Sequence, residues 1–167
     1  MYFQEFSEFG DGAQLWIYPF RDPINEDEAS LVKKTLGQFL PNWVSHGVPV
    51  EGKFRIHENH FVLLVGQSTT GISGCSIDSS VNNFKDLRDH YGLDGLDRSL
   101  VFFRNEKGVI QSRHFQDFQK LVKSGLIDTE TNIFDTTITT LGQLRQGKFE
   151  NPLRDSSYAS RFIRFSS

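Results

Sequence analysis

Hydrophobic and polar positions divide the first half of the chain into strands and one helix. The apolar run at residues 15–18, closed by Pro19, predicts a strand. Asn25 and Glu28 fit the first and last positions of a capping box, and apolar residues then recur at helical spacing until Pro41. Two further apolar stretches, at 54–56 and 61–65, flank a short polar link and predict an antiparallel hairpin.

The second half of the chain continues this mixture of helices and hairpins. Apolar positions from Val81 to Tyr91 predict a second helix that ends at Gly92. Residues 100–104 and 109–112 predict another hairpin, a third helix follows from Phe115 to Gly125, and short strands are expected at 132–134 and 161–165. Hairpins interspersed with helices favour an α+β fold. We expect one domain over residues 1–167, with a mixed, mostly antiparallel sheet and about three helices packed on it.

Composition and charge exclude several classes of function. The 18 basic residues against 21 acidic ones, net charge −3, argue against a nucleic-acid-binding surface. No apolar run approaches the roughly 18–20 residues of a membrane span, and the first residues lack the pattern of a signal peptide. The single cysteine excludes an internal disulfide framework and any zinc site built from several thiolates. We therefore expect a soluble, cytoplasmic protein that needs no metal and no cofactor, and leave its oligomeric state open.

The most informative segment is the loop predicted at residues 66–80, between a strand and a helix. Such a junction presents free backbone N–H groups and the positive end of a helix dipole, and glycines let a ligand approach the backbone. A small anionic ligand would contact the small residues of this loop, namely Gly71, Ser73, Gly74, Ser76, Ser79 and Ser80. The alternative is a plain connection in which Asp78, Ser79 or Ser80 caps the helix.

The same loop resembles a phosphate-binding P-loop without its lysine. Gly66, Gly71 and Ser73 have the G-x-x-x-x-G-x-S spacing, but Ile72 occupies the lysine position. Because that lysine reaches the β- and γ-phosphates, the sequence does not predict a nucleotide triphosphatase.

Cys75 gives the loop a second possible chemistry. A helix N-terminus favours the thiolate form of a cysteine, and an imidazole can act as the base beside it. With Cys75 as nucleophile, His46 as candidate base and Asp78 as the orienting group, the chain would be a thiol-dependent hydrolase or transferase. A lone cysteine is also commonly a small buried apolar residue, and the sequence does not show which of five histidines lies near the sulfur.

Several short motifs are spread along nearly the whole chain. They are Trp16-Ile17-Tyr18, Trp43-x-x-His46-Gly47, Ser73-Gly74-Cys75-Ser76-Ile77-Asp78 and Arg161-Phe162. With these motifs the chain resembles, nearly end to end, a set of small uncharacterised bacterial proteins. Members of this set are often labelled "ABC transporter ATPase", but the chain lacks the complete P-loop, signature sequence and acidic strand end of such a domain. The resemblance therefore implies no established activity, and it marks Cys75, Asp78 and His46 for testing.

A local similarity keeps a third hypothesis open. Residues 115–134 are similar to the helix–turn–strand unit of GYF-like peptide-binding modules. The leading hypothesis remains a binding protein with a small-molecule or anion pocket near residues 66–80. The alternatives are the thiol-dependent enzyme and a peptide- or protein-interaction module that uses exposed aromatic side chains.

Overall fold

The computed structural model describes residues 3–163, which alternate between short strands and helices. The first part contains β1 (Gln14–Pro19), α1 (Glu26–Phe39), β2 (Val44–Ser45), β3 (Val48–Pro49), β4 (Glu51–His57), β5 (Phe61–Gln67) and α2 (Gly74–Tyr91). The second part contains β6 (Leu100–Arg104), β7 (Ile110–His114), α3 (Phe115–Lys123), β8 (Asn132–Phe134), α4 (Leu141–Arg145), β9 (Glu150–Pro152) and α5 (Ala159–Phe162). Short 3₁₀ turns lie at Gln4–Phe6, Leu40–Asn42 and Leu153–Asp155.

The strands form two main sheets and one small hairpin. The three-stranded sheet has the order β1-β5-β4, and the four-stranded sheet has the order β7-β6-β8-β9. Strands β2 and β3 pair only with each other among the described residues. Each strand pair is antiparallel. Short turns can therefore join the pairs that are consecutive in sequence, namely β2–β3, β4–β5 and β6–β7.

Strand β5 lies in the middle of the molecule and is buried on both faces. On one side Phe61, Leu63 and Val65 share an apolar cluster with residues of the four-stranded sheet such as Phe102. On the other side Val62 and Leu64 pack with side chains of α1 and α2. The uninterrupted apolar run at 61–65 is therefore a strand with an apolar layer against each face.

A third cluster covers the outer face of the four-stranded sheet. Phe103 contacts Phe118 of α3, whose ring also packs edge-on against Phe162 of α5, with ring centroids 4.7 Å apart. The order of layers is thus α1 and α2, the three-stranded sheet, the four-stranded sheet, then α3 and α5. At the centre the Phe61 ring lies 4.9–5.1 Å from the rings of three other phenylalanines, at positions 102, 134 and 149.

The predicted α+β fold is confirmed. Helix α1 begins with a complete capping box, in which the Asn25 side chain accepts from the Glu28 amide and the Glu28 carboxylate accepts from the Asn25 amide. Helix α2 ends at Gly92, whose φ of 70° is left-handed. The single predicted sheet is divided into the two main sheets, and three helices have nine residues or more in the described part of the chain.

The predicted start of α2 is wrong by more than one helical turn. The helix begins at Gly74, and Ser73 caps it by accepting a hydrogen bond from the Ser76 amide. The residues proposed as caps lie inside the helix. Two of them bind the preceding turn, since the Ser79 hydroxyl donates to the Cys75 carbonyl and the Ser80 hydroxyl to the Ile77 carbonyl.

The last predicted strand is also wrong where it is described. Arg161 and Phe162 belong to the helical turn α5, because Phe162 packs against Phe115 and Phe118 rather than extending a sheet. Arg164 and Phe165 lie outside the described residues. The sequence analysis missed α4, although Thr140 and Gln143 form a capping box at its start.

Candidate functional site

The N-terminal end of α2 is fixed against the β2–β3 hairpin by three hydrogen bonds. The Ser73 amide donates to the Ser45 hydroxyl (2.9 Å), and the Ser76 hydroxyl donates to the Val44 carbonyl (2.6 Å). The indole N–H of Trp43 donates to the Ser76 carbonyl (2.9 Å) in a buried position. These bonds join residues 28–33 positions apart and hold the helix end against the hairpin.

Trp43 occupies a slot made by two glycines that face each other across strands β4 and β5. Gly52 and Gly66 are direct cross-strand partners. A Cβ atom at Gly66 would lie 2.9 Å from the Trp43 ring, and one at Gly52 would lie 3.0 Å from it. The first glycine of the P-loop-like spacing is thus a strand residue that makes room for the indole.

Two backbone amides remain open at the beginning of α2. The Ser76 amide is bonded to Ser73, and the Ile77 amide makes the first bond to the Ser73 carbonyl. Within residues 3–163, no hydrogen-bond acceptor is found for the amides of Gly74 and Cys75. Both N–H groups therefore lie at the positive end of an 18-residue helix.

A cavity of about 310 Å³ borders the segment that leads into α2. Gly71, with a φ of 81°, makes the turn in this segment, and its amide donates to the Ser68 carbonyl. The lining consists of Gly10, Gly12, Ala13, Gln14, Gly66, Gln67, Ser68, Gly71 and Ile72. None of these residues is charged, so a ligand there would meet mainly backbone and small side chains.

The three residues proposed for thiol chemistry are all exposed and lie on two elements, α2 and the β2–β3 turn. Cys75 is the second residue of α2, and Asp78 follows it by nearly one turn. His46 lies in the β2–β3 turn with a left-handed φ of 51°, on the hairpin that is bonded to the same helix end. Among the described residues no hydrogen bond or ion pair joins Cys75, His46 and Asp78. The structure thus indicates which histidine lies on the neighbouring element, but it does not show a bonded triad.

The serines proposed as ligand contacts have different roles. Ser76 and Ser80 are buried, and their hydroxyls donate to backbone carbonyls inside the protein. Ser73 uses its hydroxyl as the helix cap. Ser79 is exposed, but its hydroxyl is bonded to the Cys75 carbonyl. The amides of Gly74 and Cys75 are the donors at this helix end that have no acceptor among residues 3–163. The buried hydroxyls of Ser76 and Ser80 are not part of the binding surface.

The sequence analysis missed a cluster of charged residues between the two main sheets. Arg104 of β6 binds Glu58 at the tip of the β4–β5 hairpin (2.5 and 3.1 Å) and Glu150 of β9 (2.6 and 2.9 Å). The hydrogen bonds from Arg104 hold the pKa of Glu58 below its usual value. Because each carboxylate lies 46 residues from Arg104, spacing along the chain could not have revealed the cluster.

His57 and His60, at the two ends of the β4–β5 turn, contact different atoms of Glu58. The Nε2 atom of His57 lies 3.1 Å from a Glu58 carboxylate oxygen, whereas Nδ1 of His60 lies 3.1 Å from the Glu58 backbone carbonyl. In the part of the chain that the structure describes, no group of three or more histidine, cysteine, aspartate or glutamate side chains could hold a metal ion.

A larger concave surface lies elsewhere, beside the β6–β7 hairpin and the segment after α3. It encloses about 750 Å³, and Leu121, Leu126 and Ile127 form its apolar part. Large apolar side chains that are exposed between residues 3 and 163 lie on separate elements, at Val44, Tyr91, Val109 and Leu126. The interaction-module hypothesis expects an exposed apolar patch larger than single surface residues would give. Across the same residues, no helix has the length and apolar character needed to cross a bilayer.

Relatives of known function give no guidance on the α2 end. Comparison with models of protein families, with curated proteins and with solved structures finds no match for this chain.

Proposed function

We propose that this protein is a cytoplasmic, non-enzymatic binding protein that holds a small anion, or the anionic group of a small molecule, at the N-terminal end of α2. The observation that carries the proposal is the pair of open amides at Gly74 and Cys75. Two adjacent N–H donors at a helix N-terminus bind an anion through hydrogen bonds and through the helix dipole. A cavity of about 310 Å³ is lined by Gly71 and Ile72 on the segment that leads into α2, and we infer that it holds the rest of a larger ligand.

The lining of this cavity limits the chemistry of the ligand. No lysine or arginine lines it, and Ile72 occupies the position where a P-loop has its lysine. The part of a ligand that lies in this cavity would therefore meet no cationic side chain. This arrangement favours a ligand with one small anionic group over a nucleoside triphosphate, whose β- and γ-phosphates need a cation.

Gly74→Pro tests the proposal because it removes one donor without removing the helix. Proline is well accepted at the first helical position, and Ser73 already has the extended φ and ψ of −72° and 161° that a following proline requires. A Cβ at Gly74 meets nothing within 4 Å. We expect the affinity for inorganic phosphate to fall by about tenfold, as the loss of one charge-assisted hydrogen bond implies. Titration followed by ¹H–¹⁵N NMR measures this affinity.

Gly74→Ala is the matched control, since it adds a side chain but keeps the N–H. It should bind phosphate within about twofold of the unmodified protein, and so should Cys75→Ser. Equal phosphate affinity in the proline and alanine variants, or shifts that map away from residues 71–76, would contradict the proposal.

A second candidate function, thiol chemistry, is favoured by the exposure of Cys75 at the second helical position next to the hairpin that carries His46. If Cys75 is an activated nucleophile, iodoacetamide will alkylate it in the native protein at least about tenfold faster at pH 7 than in the unfolded chain. His46→Gln will remove much of this difference. The chain has one cysteine, so the alkylated mass reports this residue alone.

The result of the alkylation experiment separates the two candidates. A native rate equal to or below that of the unfolded chain rules out an activated thiol and leaves the anion site unaffected. A fast reaction that persists in His46→Gln shows that the helix end alone activates the sulfur. Lys53→Gln, a change on the solvent-exposed part of β4, is a suitable control for nonspecific effects of substitution.

A further inference from the structure

A second cavity, remote in sequence from the α2 end, lies where the two main sheets meet beside His57. It encloses about 420 Å³, and its walls come from the N-terminal segment, the end of β4, α4 and the strands β8 and β9. The side chains that matter for its chemistry are Phe3, His57, Asn132, Leu144, Phe149 and Glu150. Aromatic and aliphatic groups therefore share this cavity with a few polar ones, which is the usual composition of a small-molecule site.

His57 contributes a buried hydrogen-bond acceptor that has no partner. The residue is 2% exposed, and its Nε2 lies 3.1 Å from a carboxylate oxygen of Glu58. Because a carboxylate only accepts hydrogen bonds, it fixes the ring hydrogen on Nε2 and leaves a lone pair on Nδ1. Among residues 3–163, no group donates to this Nδ1. A buried polar atom without a partner is rare and calls for an explanation.

The protonation states of the two groups agree with this assignment. Burial holds the pKa of His57 below its usual value of 6.5, so the ring is neutral near pH 7. Hydrogen bonds from Arg104 hold the pKa of Glu58 below its usual value, so its carboxyl group is ionised. The pair therefore consists of an ionised carboxylate and an uncharged imidazole, and the Nδ1 atom of that imidazole is buried without a hydrogen-bond partner among residues 3–163.

The charged residues in the cavity wall are already neutralised. Glu150 is bound to Arg104 at 2.6 Å, and Arg145 is bound to Asp11 at 2.6 Å. A charged ligand would find no opposite charge that is free. The rings of Phe3 and Phe149 lie 5.8 Å and 5.7 Å from the His57 ring, so aromatic surfaces flank the acceptor.

We propose that this cavity binds an uncharged, planar aromatic molecule that carries one O–H or N–H group, which donates a hydrogen bond to Nδ1 of His57. The aromatic body packs against Phe3 and Phe149. The site is distinct from the anion site at α2 and does not depend on it.

Phenol and toluene form a suitable pair of probes because they have nearly the same shape but only phenol carries a donor. We expect phenol to bind the unmodified protein at least about tenfold more tightly than toluene, although toluene is the more hydrophobic of the two. Titrations followed by NMR of protein with ¹⁵N-labelled histidine give both affinities. They also show whether the Nδ1 resonance of His57 moves when phenol binds.

His57→Phe keeps an aromatic ring of similar size and removes the acceptor nitrogen. It should lose the preference for phenol over toluene. His60→Phe is the matched control, since His60 is also buried, lies in the same hairpin turn and is absent from the cavity wall. Its preference for phenol should stay within about twofold of the unmodified value.

Three results would overturn the proposal. These are equal affinity for phenol and toluene, a phenol preference that survives in His57→Phe, and phenol-induced shifts that map away from residues 57, 144 and 149. If His57→Phe does not fold, the two probes and the Nδ1 resonance of the unmodified protein still decide. Phenol binding measured in Gly74→Pro should be unchanged, so failure at one site is distinguishable from failure at the other.

Discussion

Replacing Trp43 with alanine will lower the free energy of unfolding by about 3–5 kcal/mol, the cost typical of deleting a large buried aromatic side chain. The indole is 2% exposed and packs 5.4 Å from the Phe39 ring and 5.7 Å from the Trp16 ring. Its removal leaves the slot between Gly52 and Gly66 empty, and neither glycine has a side chain that could fill it. Urea denaturation followed by circular dichroism measures the loss.

Trp43→Phe separates packing from hydrogen bonding at this position. It keeps a ring in the slot but loses the N–H that donates to the Ser76 carbonyl, so we expect a smaller loss of about 1–2 kcal/mol. An alanine variant within about 1 kcal/mol of the unmodified protein would show that the slot collapses or fills at little cost.

Replacing Arg104 with methionine will lower the free energy of unfolding by about 2–3 kcal/mol, since hydrogen bonds to charged groups are lost and two partly buried carboxylates lose their cationic partner. Arg104 also lies over the Phe134 ring, with 5.0 Å between the guanidinium carbon and the ring centre. Methionine retains much of the apolar stem, so the loss reports the charged head. Chemical denaturation at pH 7 in urea, which leaves ionic strength unchanged, is the appropriate measurement.

The pH dependence of this variant distinguishes an electrostatic effect from a packing effect. Arg104 lowers the pKa of Glu58 in the folded protein, so its stabilising effect is fully present above the usual carboxyl pKa of 4.5 and is lost as pH falls below it. The difference between the two proteins should therefore shrink on acidification. A difference that is constant with pH would mean that packing on Phe134 accounts for the loss, and Arg104→Lys should be intermediate at pH 7.

Features encoded by neighbouring residues could be predicted from the sequence. The capping box at Asn25 and Glu28 depends on a three-residue spacing, and the left-handed Gly92 depends on one residue type at the end of an apolar pattern. The start of α2 could not be predicted in this way, because several serines near it have the same capping chemistry. The choice of Ser73 depends on its bond to Ser45, 28 residues away.

The candidate sites show the same division between local and distant information. Cys75 could be singled out because it is the single cysteine and is surrounded by small residues. His46 could be named as the candidate base, but its position relative to α2 could not be predicted, since the bonds that join its hairpin to the helix involve Trp43, Val44 and Ser45. The cavity at His57 gave no sequence signal, because its walls come from distant segments that meet only when the two sheets pack together.

The glycine pair under Trp43 has a consequence for how strand β5 finds its alignment with β4. In most sheets the alternation of apolar and polar residues selects one alignment, but β5 is apolar on both faces, so a shift by one residue would exchange one apolar set for another. Size selects the alignment instead. A shift would bring the side chain of Val65 or Gln67 beneath the indole, where only the paired glycines 52 and 66 leave room. The central strand is thus aligned by the bulk of one tryptophan on a neighbouring segment.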